Sequence, residues 1–211
     1  MASRVIHLAI AKGLAAEDPR LDTNRFYLGS VLPDACRDKS AHYSVYVADG
    51  ARKTHNLTLF RRQYGVLLQA DSLYLGYYFH LIQDILFRYI MYEELHFDSR
   101  PAGNVERLHL DYKLTNRYVM KKYGVDFVPT LPAGLFEEPL LQAYDFFPSS
   151  FLEELRGDYQ DRPAGNTVFF SEQIADQVIT RSLVVCREEL KAVRRGAGYL
   201  DEVRYSWKRH S

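Results

Sequence analysis

DSLYLGYYFHLIQDILFRYIMYEEL, residues 71–95, decides the fold class. It is the most apolar stretch of the chain and its strongest helical pattern, so burial is expected along it. Two groups sit oddly there. His80 and Asp84 stand four residues apart, which on a helix places them on one face with Cβ atoms about 5–6 Å apart. Gly76, one turn earlier, removes bulk beside them, and Arg88, one turn later, adds a cation on the same side. An ionised carboxylate left unpaired in a core costs several kcal/mol, so Asp84 must have His, Arg or a metal as its partner. A buried His–Asp or Asp–Arg pair that only holds helices together satisfies the same constraint.

Outward from this segment the chain continues to read as helices. SRPAG at 99–103 ends it, and a further helix over 104–123 stops at Gly124, a residue suited to a helix C-terminus. Upstream, Ser3 can cap a helix running to residue 16, with Val5, Ile6, Ala9, Ile10 and Leu14 at helical spacing. A short helix over 25–32 is stopped by Pro33. Residues 33–55 read as a polar connection with a turn at Asp49-Gly50, and Asn56 caps a helix over 57–68. Downstream, 125–148 reads as loops with one short helix. Ser149 or Ser150 can start a helix over 151–157. Ser171 opens a long helix ending near Gly196, and a last short helical piece is expected after it. No alternating strand pattern is visible. The expectation is one all-α domain, a multi-helix bundle with a metal-site half over 1–124 and a packing or lid half over 125–211.

Composition narrows the function. The 27 basic residues balance 27 acidic ones, whereas binding to duplex nucleic acid by phosphate neutralisation favours a basic excess. Two cysteines make neither a disulfide framework nor a thiolate zinc site. The first residues read as an amphipathic helix rather than a signal peptide, and no charge-free apolar run is long enough to span a membrane. A cytoplasmic protein is expected. GxxxxGK, GxGxxG and GxSxG are all absent.

His7, Asp34 after Pro33, His42, His80 and Asp84 form an ordered series of nitrogen and oxygen donors. Written H…LGS-x-x-PD…H…GY-x-x-H-x-x-x-D, it resembles the zinc-dependent phospholipase C family and its nuclease relatives. The resemblance covers about residues 1–90. It implies an all-α fold holding zinc ions between helices, with the metal site between them. It also implies that His42, His80 and Asp84 ligate one ion and that Asp84 bridges to a second, bound by His7. Asp34 would then act as a ligand or as the catalytic base beside the water. The family's later HxxxE pair has no counterpart; the nearest residues are His109 and Asp111, with His96 behind them. One or two divalent ions are therefore expected, zinc first, with Mn, Fe, Co or Ni compatible with a donor set lacking thiolate.

The activity implied is hydrolysis of a small phosphoester, with no membrane partner and with a homodimer open through the C-terminal helix. Arg88, Lys53 and Arg52 are candidates to hold phosphate oxygens, and Tyr77, with Tyr43 and Tyr78, to shape the pocket. Two other readings compete. A non-catalytic metal-binding or interaction protein keeps the site without turnover. An HD-type phosphohydrolase would need adjacent His-Asp, a dipeptide the chain lacks.

Overall fold

The computed structural model describes residues 2–161 and 163–208, and His210, the last histidine of the chain, lies outside them. Its helices are α1 (Arg4–Ala15), α2 (Thr23–Gly29), α3 (Leu57–Ala70), α4 (Ser72–Arg88), α5 (Asn104–Tyr123), α6 (Pro139–Gln142), α7 (Pro148–Gln160) and α8 (Glu172–Val193). Three short strands accompany them: β1 (Ser44–Val47), β2 (Arg52–His55) and β3 (Trp207–Lys208).

α4 is the axis of the molecule. Every residue from Leu73 to Phe87 is buried, so the helix has no solvent face and needs none of the amphipathic patterning of a surface helix. Asp71 caps it, accepting from the backbone N–H of Leu73, and also pairs with Arg25. Tyr74, Tyr77, Tyr78 and Phe79 are fully enclosed, and burial of each large side chain is worth about 2–3 kcal/mol. α1, α2, α3 and α8 pack around this axis. The last turn widens into a π-helical turn at Tyr89–Glu94.

The approach of α2 to α4 depends on two glycines. A Cβ on Gly29 would stand 2.1 Å from the Leu73 carbonyl oxygen, and one on Gly76 would stand 2.2 Å from that of Phe26. Gly76 thus makes room for the α2 backbone rather than for a ligand. This contact brings the end of α2, and the carbonyl of Ser30, against α4.

The helix ends follow the expected chemistry. Ser3, Asn56 and Ser171 each accept from a backbone N–H of the first turn, and Gly124 closes α5 at φ 67°. The structure is mostly helical, as read from the sequence, but it departs from that reading in four places. The first is the helix read over 25–32, which ends at Gly29 before Pro33 is reached. Residues 33–55 hold a hairpin, with β1 paired to β2 from Ser44↔His55 to Val47↔Arg52 around the Asp49-Gly50 turn. The described residues after α8 form no helix: β3 adds to β2 through Arg52↔Lys208 and Lys53↔Trp207. The helix expected to begin at Ser149 or Ser150 begins at Pro148, whose fixed φ suits a first helical turn. Among the described residues no helix is long and apolar enough to cross a membrane.

Candidate metal centre

Four elements converge beside the middle of α4. α1 contributes His7 and α4 contributes His80 and Asp84. A 3-10 turn at Leu32–Ala35, fixed by Pro33, presents Asp34, and a second at Lys39–His42 ends in His42. β2 ends in His55, a residue the sequence reading passed over. His7, His55, His80 and Asp84 have no exposed surface, and the side chains of Asp34 and His42 are nearly enclosed.

The imidazoles are oriented from behind. Nδ1 of His80 donates to the Ser30 carbonyl at 2.9 Å, which leaves Nε2 of the neutral ring with a bare lone pair. Nδ1 of His7 donates to Oε1 of Gln83 at 2.7 Å, which turns its Nε2 toward the same space. The His7 and His80 rings stack at 4.1 Å between centroids. Nε2 of His7 lies 3.7 Å from Oδ1 of Asp84, and Nε2 of His80 lies 3.7 Å from Oδ1 of Asp34. His42 faces the same Asp34 oxygen at 3.3 Å. On the far side of Asp84, Oδ2 meets Nε2 of His55 at 3.7 Å and the Arg88 guanidinium at 3.5 Å.

The consequence is a group of buried polar atoms with nothing to bond. Among the described residues, Nε2 of His7, His55 and His80 and Oδ2 of Asp84 all lack a hydrogen-bond partner. Such atoms are rare in folded proteins because each one left unsatisfied costs about 1–3 kcal/mol. On His7 and His80, which belong to compact donor sets, their chemistry is that of ligands. Burial, then the neighbouring His7, holds the His80 imidazolium down to about 3, and burial holds that of His55 to about 4, so both rings are neutral near pH 7. Burial opposes ionisation of Asp84, but the charge of Arg88 and the His55 contact overcome it and keep the carboxyl well below the usual carboxylate range. Two sets of donor atoms lie close enough together to share an ion: His7, His80 and Asp84, and Asp34, His42 and His80, each within 4.8 Å. The residues present therefore fit a divalent cation.

All five metal-site residues expected from the sequence, His7, Asp34, His42, His80 and Asp84, are brought together, although Asp34 rather than Asp84 groups with His42. The substrate-holding residues fare differently. An open cavity of about 360 Å³ reaches Asp34 and is lined by Ser3, Tyr112, Asn116, Phe147 and Phe151, with His109 and Lys113 at its α5 edge. Arg88, Tyr77 and Lys53 do not line it. Arg88 is turned onto Asp84. Tyr77 is fully buried, donates to the Ala41 carbonyl at 2.6 Å and stacks on Phe60. Lys53 extends over the Tyr46 ring. Arg52 pairs with Glu93, and Tyr78 donates to Glu189. Asp111, as its two-residue offset from His109 requires, points elsewhere: it accepts from the backbone N–H groups of Val168, Phe169 and Phe170.

His55 and Gln83 were missed for different reasons. His55 closes a strand too short and polar to announce itself; only the Asp49-Gly50 turn hinted at a hairpin that would turn it inward. Gln83 is one more polar residue in an apolar helix, and only the fold reveals that it backs His7.

No family model matches the chain, no curated protein matches it, and no solved structure matches its fold.

Proposed function

We propose that the chain is a metal-dependent hydrolase of a small phosphodiester or phosphomonoester, with a zinc-class site between helices like that of the phospholipase C family. The observation that carries the reading is the convergence of the bare, buried Nε2 atoms of His7 and His80 with the Asp84 carboxylate, beside Asp34 and His42. A core built for stability alone would bond or replace them. Zinc, or Mn, Fe, Co or Ni in the same donor set, supplies Lewis acidity that brings the pKa of water toward about 7 and draws charge from a phosphoryl oxygen.

The chain's own part divides between two carboxylates. Asp84, ionised and closed off from the cavity, contributes fixed negative charge to the ligand set. Asp34 lies between the imidazoles and the cavity, in position to orient a water and accept its proton. His80 and His7, pinned by Ser30 and Gln83, keep their Nε2 atoms aimed without reorganisation. The aromatic wall of Tyr112, Phe147 and Phe151 gives the cavity room for the organic part of a small ester.

One observation favours a second, non-catalytic reading. The cavity's cations are already engaged: Arg4 pairs with Glu154 and Asp158, and Lys113 with Asp161. Elemental analysis of purified protein, followed by a phosphoester panel with added Zn, Mn, Ni or Fe, separates the two. Stoichiometric metal with turnover is the expected result, and His80→Ala and Asp84→Ala should lower both. Metal content unchanged in both variants would remove the site assignment, whereas metal without turnover under every condition would establish the non-catalytic reading.

A further inference from the structure

We propose that Trp207, far from the ligands in sequence, is a positioning residue for the metal centre, acting through His55 and Arg88 on the orientation of Asp84. This inference rests on the metal-centre reading above and assigns a role to residues which that reading leaves aside.

Asp84 has two differently occupied sides. Oδ1 faces the His7 imidazole and accepts from the backbone N–H of Ala2 at 3.2 Å. Oδ2 faces His55 and Arg88. His55 belongs to neither of the two compact donor sets, so its geometry is that of a group holding a ligand rather than of a ligand. The oxygen that a metal-binding carboxylate turns away from its ion is commonly contacted by polar groups. Here the His55 and Arg88 contacts, at 3.7 and 3.5 Å, act through charge and packing rather than as hydrogen bonds.

Both holding groups share one further contact. The Trp207 indole lies against the His55 ring at 5.4 Å, inclined by 60°, and the Arg88 guanidinium stands 5.0 Å above the same indole. Trp207 is itself 3% exposed. It fills the space between β2 and the end of α4 and limits both side chains to the directions that meet Oδ2. A mostly buried guanidinium over an indole strengthens this contact.

The strand carrying Trp207 is anchored more firmly than its two residues would require. Nε of Arg52 donates to Oγ of Ser206 at 2.9 Å, and its guanidinium also donates to the Ser206 carbonyl. Glu93 accepts from the Lys208 backbone N–H at 2.6 Å and pairs with Arg52 at 3.3 Å. Glu93 sits in the π-helical turn, a local widening frequently found beside functional sites. Thr54 adds a hydrogen bond to the Glu202 carbonyl at 2.8 Å. The anchorage fixes where the indole lies, and the indole fixes His55 and Arg88.

The test uses the full chain and the metal alone. Zinc affinity is measured by competition with a chromogenic chelator, and the ligand field by the visible spectrum of the Co²⁺ form. Wild type, Trp207→Ala, Trp207→Phe and Asp84→Ala are compared, with folding checked by circular dichroism. Asp84→Ala should lose stoichiometric metal. Trp207→Ala should bind zinc about 10–100-fold more weakly and shift the Co²⁺ spectrum, while Trp207→Phe, which keeps an aromatic face, should recover most of the affinity. If Trp207→Ala does not fold, Arg88→Gln is read in its place, with the same weakening expected. Unchanged affinity and spectrum in the folded variant would overturn the positioning role while leaving the metal centre intact. Unchanged metal binding in Asp84→Ala would instead overturn the metal-centre reading beneath it.

Discussion

At the scale of single residues, Asp34 and Asp84 are both nearly enclosed carboxylates surrounded by imidazoles, yet only Asp34 reaches the cavity. Their amide variants should therefore fail differently. Asp34→Asn is expected to keep its metal and lose about 10²–10⁴ in kcat, the range for removal of a general base. Asp84→Asn should release metal outright. Metal analysis beside steady-state kinetics distinguishes the outcomes, and loss of metal from Asp34→Asn would move that residue into the ligand set. How much of this was readable beforehand differs from residue to residue. His80 and Asp84 were legible because helical geometry alone joins residues four apart. His7, Asp34 and His42 were legible only as an ordered series, since their meeting depends on helix crossings that no local pattern encodes. Lys53 and Tyr77 lie away from the cavity, since residue type says what a side chain can do and its packing decides where it points.

Among the elements, the crossing of α2 over α4 has the least tolerance. A methyl group at Gly76 would meet backbone atoms on the other helix, and backbone cannot swing aside as a side chain can. Gly76→Ala is expected to cost about 2–3 kcal/mol or more, seen as a fall of roughly 5–10 °C in Tm. Gly157→Ala, in α7 with nothing near the added methyl, should instead raise stability by about 0.5–1 kcal/mol. Equal effects of the two substitutions would contradict the tight crossing. The helices themselves were legible, because long apolar periodicity and capping residues at Ser3, Asn56, Ser171 and Gly124 are local signals. The strands were not. β1 and β2 are four residues each and β3 is two, their side chains are mostly polar, and the pairing of β3 joins distant parts of the chain.

Across the whole molecule, one cluster ties the end of the first helix to the end of the last. Arg20 bonds Asp18 from the same loop, and Arg194, after α8, reaches it at 3.1 Å. The Arg20 hydrogen bond, against opposition from burial and with help from Arg194, holds the Asp18 carboxyl down at about 2. A carboxyl more acidic in the folded state contributes stability above its unfolded pKa and loses it as pH falls toward the folded value. Asp18→Asn should thus destabilise the protein by about 1 kcal/mol at pH 7, allowing for solvent screening of the exposed Arg20. The difference should shrink between pH 4 and 2 in urea unfolding followed across that range, and a pH-independent difference would contradict the assignment. A last consequence comes from Arg52 and Ser206, bonded across 154 residues of sequence. Closing a loop of that size comes late in folding, since its entropy must be met before the contact returns anything. His55 and Arg88 therefore wait for the segment at 206–208 to bring their covering indole, and a chain synthesised only up to that point would present these donors loosely held.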